Sequence, residues 1–148
     1  MKAIVYTKYG GIENLQLKEV EKPSPKDDEV LVKVHAVSIN DWDMGLMNGD
    51  FINRMLNGLR KPKRQILGSD IAGRIEAIGK NVTKFKIGDE VYGDLSGRWK
   101  GFAEYACAPE KSLALKPVSM SFVDAASIPQ AGMLAVQGLI DRGKIKPG

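Results

Sequence analysis

The sequence predicts a mainly β domain with short peripheral helices, and three observations carry that expectation. Hydrophobic residues recur with a period of two along most of the chain, the spacing of half-buried strands. Gly68, Gly73, Gly79, Gly88 and Gly93 punctuate one short stretch, where glycines supply positive φ, bulges or close backbone approach. A helical period appears only late, at Met133, Val136, Leu139 and Ile140, ending near Gly143.

In order, residues 2–6 and 15–20 read as short strands, and Pro23 and Pro25 end the second. Residues 29–39 form the clearest long strand, with Val32, Val34 and Ala36 on one face and Lys33 and His35 on the other. That alternation turns His35, the one histidine, toward solvent. Residues 41–47 read as a short helix or turn, and 51–67 as an irregular excursion without a clean period. Further strands follow at 71–78, 90–92 and 103–108. Ser121 is a good cap for a short helix through Ala126.

At 148 residues the chain can form one domain that buries about 68–70% of its unfolded surface. Its 43% hydrophobic and 27% charged residues exclude a disordered chain. The longest uncharged stretch, 125–140, carries Pro129, Gln130, Gly132, Gln137 and Gly138 and falls short of the ~20 apolar residues of a membrane span. No membrane partner is therefore expected, and the expected location is the cytoplasm. The lone Cys107 excludes an internal disulfide and fits a small apolar position on a strand. The net charge of +4 raises the question of nucleic acid. Its densest cluster, Arg60, Lys61, Lys63 and Arg64, surrounds Pro62 without interleaved aromatics and reads as a solvated loop. No nucleic-acid partner is expected.

Five segments then align in one order: MKAIVYTKYG at 1–10, VLVKVHAVSIND at 30–41, GSDIAGRIEAIGKNVTKFKIGDEVYG at 68–93, GFAEYACAPE at 101–110 and SFVDAASIPQAGMLAVQGL at 121–139. Together they resemble the N-terminal catalytic domain of the medium-chain dehydrogenase/reductase superfamily. The third tracks its signature GxExxGxVxxVGxxVxxxxxGDxV, with Asp70 in place of the Glu. The resemblance implies a GroES-like, partly open β-barrel over residues 1–148, followed by a Rossmann domain that binds the nicotinamide cofactor. Residues 144–148, KIKPG, look like the loop before that second domain. The chain contains no G-x-G, so the dinucleotide fingerprint is not within it. The expectation is a fragment, inactive alone, of an enzyme that is a homodimer at full length.

Residue arithmetic bears on zinc. A catalytic site needs three ligands from Cys, His and carboxylates, and a structural site four, usually thiolates. One His and one Cys far apart supply neither. In zinc-dependent members of the superfamily the ligands fall at positions that here are Asn40, Ser69 and Gln130, and the four-cysteine lobe is replaced by the short loop DLSGRWK at 94–100. Asp43 and Asp70 could attract a cation, but two carboxylates alone do not make a zinc site. The chain thus resembles the zinc-less quinone oxidoreductase branch, with no metal expected.

That branch implies hydride transfer from NADPH, bound mainly by the second domain, to a quinone, an enone or a related carbonyl. Neutral donors must then hold the oxygen on which charge develops. Asn40 is the first candidate, because Ser38-Ile39-Asn40 repeats the branch's SVN-type turn; it would position the nicotinamide and bind the substrate carbonyl. Asp43, Ser69 and Gln130 complete the catalytic set, and each has a structural alternative as a cap, turn or packing residue. Trp42 and Met44 are candidates for the substrate pocket wall. Leu134 occupies the place of a threonine that helps hold the nicotinamide and cannot donate a hydrogen bond. This departure keeps open an alternative, a non-catalytic binding or regulatory paralogue of the same fold. A free-standing structural module is the third reading.

Overall fold

The computed structural model describes residues 1–146, and its core is a five-stranded antiparallel sheet. The chain opens with a ribbon of β1 (Lys2–Tyr6) against β2 (Leu15–Glu19), an antiparallel pair in continuous register. The main sheet follows with β3 (Glu29–Val37), then helices α1 (Asp41–Asn48) and α2 (Phe51–Asn57), then β4 (Asp70–Ile78), β5 (Glu90–Asp94), β6 (Tyr105–Pro109) and β7 (Leu113–Leu115). The strand order is β6-β3-β4-β5-β7, and a single bridge from Ala3 to Ala103 ties the ribbon to it. Last come α3 (Phe122–Ala126), α4 (Pro129–Ala135) and a π-helical stretch, Val136–Arg142. This is a mainly β, open architecture with short helices at its edges, as the sequence predicts.

Period-two alternation places Val30, Val32, Ile71, Ile75 and Val91 in one buried cluster with Phe85 and Leu95. Gly73 permits the sheet to close at its centre: a Cβ there would lie 2.1 Å from the Lys33 carbonyl oxygen. A second cluster, Tyr6, Leu46, Met47, Leu67 and Trp99, seats α1. Within it buried Asn57 donates to the Tyr6 hydroxyl at 2.8 Å and accepts the Arg64 N–H at 2.9 Å. Burial pushes the Tyr6 hydroxyl up to about 12, so it remains a neutral partner.

The structure departs from the sequence expectations at four places. Residues 51–67 are not wholly irregular, because Asp50 accepts the Asn53 N–H at 2.8 Å and starts α2, and Gly58 ends it. The basic cluster is only partly a solvated loop. Pro62 is buried, and the Arg64 guanidinium stacks on Trp99 at 4.7 Å, while Arg60, Lys61 and Lys63 are exposed. β7 was not foreseen, since three residues are too short to show a period. The C-terminal stripe begins as an α-helix and continues as a π-helix, with Met133, Val136, Leu139 and Ile140 all at least half exposed. Pro147 and Gly148, the end of the expected interdomain loop, lie outside the described residues. His35 is exposed as expected and stacks on Phe122 at 4.4 Å, beside a register shift between Val34 and Ala36.

Candidate active site

The turn after β3 delivers Asn40 to the start of α1, where its extended backbone makes it the N-cap. Buried Asp43, at the third position of the helix, reaches back and accepts the Asn40 backbone N–H on Oδ2 at 3.1 Å. Its other oxygen accepts the N–H of Gly68 at 2.9 Å. One carboxylate thus joins the start of α1 to the entry of β4. Gly68 has φ 88°, a left-handed conformation, and a Cβ there would sit 2.7 Å from the Phe102 backbone nitrogen.

Gly68 sets the register of the two buried residues that follow. Ser69 accepts a hydrogen bond from the Asn40 amide, Nδ2 to Oγ, at 3.1 Å. The other contact of that amide, to Ser38 Oγ, is 3.5 Å, beyond ordinary hydrogen-bond length. The Asn40 amide, on a half-buried side chain, thus faces Ser69, Ser38 and the Asp70 carboxyl, and its bond to Ser69 is the shortest of its recorded contacts. Asp70 is 1% exposed, and its Oδ2 accepts the Gln130 backbone N–H at 3.0 Å, which anchors the first turn of α4. Its Oδ1 has no hydrogen-bond partner among the described residues. The Gln130 side chain points the other way, donating to Ser96 Oγ at 3.2 Å.

Burial dominates the electrostatics. Desolvation raises the Asp70 carboxyl above the usual carboxylate range; the Gln130 N–H and the Asn40 amide partly offset it, and the Asp94 and Asp43 charges add to the rise. Asp94 lies directly across β5 in register with Asp70. Asp43 is raised for the same leading reason, against the pull of its two backbone N–H groups. Burial pushes the Cys107 thiol up to about 11, which favours its protonated form at neutral pH.

Three of the sequence-predicted residues form one hydrogen-bonded set, with Asn40 bonded to Ser69 and its backbone held by Asp43, and Gln130 is held by Asp70, the residue that follows Ser69. Trp42 is about half exposed beside them and packs edge-on against Trp99 at 6.0 Å. Met44 and Leu134 lie exposed on the flanking helices, outside that hydrogen-bonded set. Asp70 is the residue whose part the sequence reading missed. Its place in Gly68-Ser69-Asp70 suggested only a cation, whereas it anchors Gln130. Among the described residues no group of three or more His, Cys, Asp or Glu side chains could hold a metal ion.

The family model described as the alcohol dehydrogenase GroES-like domain matches residues 26–118. The chain belongs to this family. Its relatives place it in the quinone oxidoreductase-like branch of the medium-chain dehydrogenase/reductase superfamily. The human quinone oxidoreductase is 36% identical over all of this chain and 43% of its own length. The chloroplastic NADPH-dependent alkenal/one oxidoreductase of Arabidopsis thaliana is 36% identical over 95% of this chain and 37% of its own. Among solved structures, the quinone oxidoreductase from Coxiella burnetii superposes with a TM-score of 0.87 at 34% identity, covering all of this chain and 46% of that one. The chain therefore spans less than half the length of these relatives.

Proposed function

We propose that the chain is the catalytic domain of a zinc-independent, NADPH-dependent oxidoreductase that reduces quinones, enones or related carbonyls. The observation that carries this reading is the Asn40 to Ser69 hydrogen bond. At the positions where zinc-dependent members of the superfamily are expected to hold metal, this chain places a neutral amide and a neutral hydroxyl on each other. The residues present fit one lip of a nicotinamide site, because the Asn40 amide is held to Ser38 only by a long 3.5 Å contact that a ligand can replace, while its backbone is clamped by Asp43. NADPH, when bound, supplies the hydride.

The chain's own part is to hold the substrate oxygen as charge develops on it. Asn40 is the donor that touches it, and preorganisation makes that donor effective. Ser69 and Asp43, both buried, are positioning residues that act through Asn40. Gln130, held by its backbone to Asp70, turns its amide to Ser96. Trp42 supplies an apolar wall. The working enzyme is read as a cytoplasmic homodimer with no nucleic-acid partner.

The test is NADPH consumption by the full-length protein after exhaustive chelation, with a quinone, an enone, and a primary alcohol plus NADP in reverse. Turnover of the quinone or enone that survives chelation is expected, and Asn40→Ala should lower kcat by about 10²-fold. Alcohol oxidation abolished by chelation would overturn the zinc-independent reading. Tight NADPH binding without turnover would instead support the regulatory paralogue, the reading that Leu134 leaves open.

A further inference from the structure

The second part of the long excursion between β3 and β4, residues 51–69, has an unpartnered surface of unusual composition. Phe51, Ile52, Met55 and Leu56 on α2, with Leu59 just beyond it, are between 59% and 75% exposed. The same stretch carries Arg54, Arg60, Lys61, Lys63 and Arg64 and no carboxylate. Arg54 and Arg64 lean inward, each over an aromatic ring, at 4.7 Å from Tyr9 and from Trp99 respectively. Arg60, Lys61 and Lys63 stay exposed, and none of the ion pairs among the described residues involves them. The nearest acid in sequence, Asp50, is occupied capping the helix. Large apolar side chains on an exposed helix cost solvation unless something covers them.

We propose that this face docks on an anionic lipid surface, with the α2 side chains entering the headgroup boundary and the adjoining basic loop against the lipid charge. Charge selects that occupant. A second copy of the chain would bring two patches of five positive charges together, which repels. A nucleic acid would satisfy the cations but leave five apolar side chains wet, whereas an anionic bilayer meets both halves. The sequence expectation of no membrane partner addressed spanning segments, and no helix of the described residues is long and apolar enough to cross a membrane. Surface attachment needs only a short apolar face and flanking cations. Trp42 is half exposed on α1, the helix that packs beside α2.

The experiment is co-sedimentation of the full-length protein with vesicles of phosphatidylglycerol and phosphatidylcholine, against phosphatidylcholine alone. Binding should be about tenfold or more stronger to the anionic vesicles and should weaken as salt rises. Phe51→Ser with Met55→Ser should reduce it by about tenfold or more, and Arg60→Glu with Lys61→Glu and Lys63→Glu should erase the preference for anionic lipid. All five side chains are exposed, so unchanged thermal unfolding separates lost docking from lost folding. Quenching of Trp42 fluorescence by brominated lipid, absent in Trp42→Phe, gives an independent reading. No binding to anionic vesicles, binding that the serine variants leave intact, or a dimer or nucleic-acid complex that those variants abolish would each overturn the proposal. None of these measurements needs cofactor or substrate, so the result is independent of the reductase reading.

Discussion

Asp43 shows how much one side chain can carry when both of its oxygens are taken by backbone N–H groups from different elements. Replacing it with Ala leaves the N–H of Asn40 and the N–H of Gly68 without partners in a buried corner. Each such orphan costs about 1–3 kcal/mol, so Asp43→Ala is expected to lower stability by about 2–4 kcal/mol. Chemical denaturation would measure it. Asp43→Asn retains one acceptor and should recover part of the loss. Because Asn40 is held by this clamp, Asp43→Asn should lower kcat more than it raises KM in the full-length enzyme. Equal losses in both would mean that Asp43 serves folding alone.

Elements differ in how plainly the sequence announced them. β1, β2 and the long strands were legible because their alternation coincides with one buried face, and Ser121 announced α3 through the rule for helix caps. Ser121 accepts the Asp124 N–H at 3.1 Å, so Ser121→Ala is expected to cost about 1 kcal/mol, read as a lowered unfolding midpoint. An unchanged midpoint would show that packing of Ala125 and Ala126 alone holds this helix. α2 was not legible, since its apolar residues face outward and its start depends on Asp50 meeting Asn53. The candidate site was legible in Asn40, Asp43 and Ser69, which share short motifs. The tie between Gln130 and Asp70 spans sixty residues of sequence and required the fold.

For the whole molecule, the acids pull stability in opposite directions as pH falls. Asp43 and Asp70 have folded pKa values raised above the unfolded value of 3.8, so the folded state takes up their protons first. Their charged forms destabilise the fold at neutral pH, and that penalty is relieved as pH falls toward 3.8. Glu76 and Glu90 have lowered values through their Lys and Arg partners. Their contribution is present above the unfolded value of 4.5 and is lost as pH falls through the lowered range. Glu76 is exposed and Glu90 half-buried, so solvent screens the share of Glu76 the more. Stability is therefore expected to be greatest in mild acid, and Asp70→Asn should flatten the rise between neutral and mildly acidic pH. Thermal unfolding across that range decides the matter; a wild-type midpoint that only falls on acidification would contradict it.

The π-helical stretch after Ala135 bears on how this chain is aligned with others. Its bonds skip five residues, as in Gly143 N–H to Gly138 oxygen at 2.9 Å, so a turn takes up about one residue more than an α-turn. An extra residue in an α-helix would swing everything beyond it by about 100°. A wider turn absorbs that residue and leaves the exit direction unchanged. A homologue with a plain α-helix at this point could thus be one residue shorter and still send its next segment the same way. Correspondences read across residues 136–142 would slip by one, whereas Leu134 stands upstream of the slip and keeps its match.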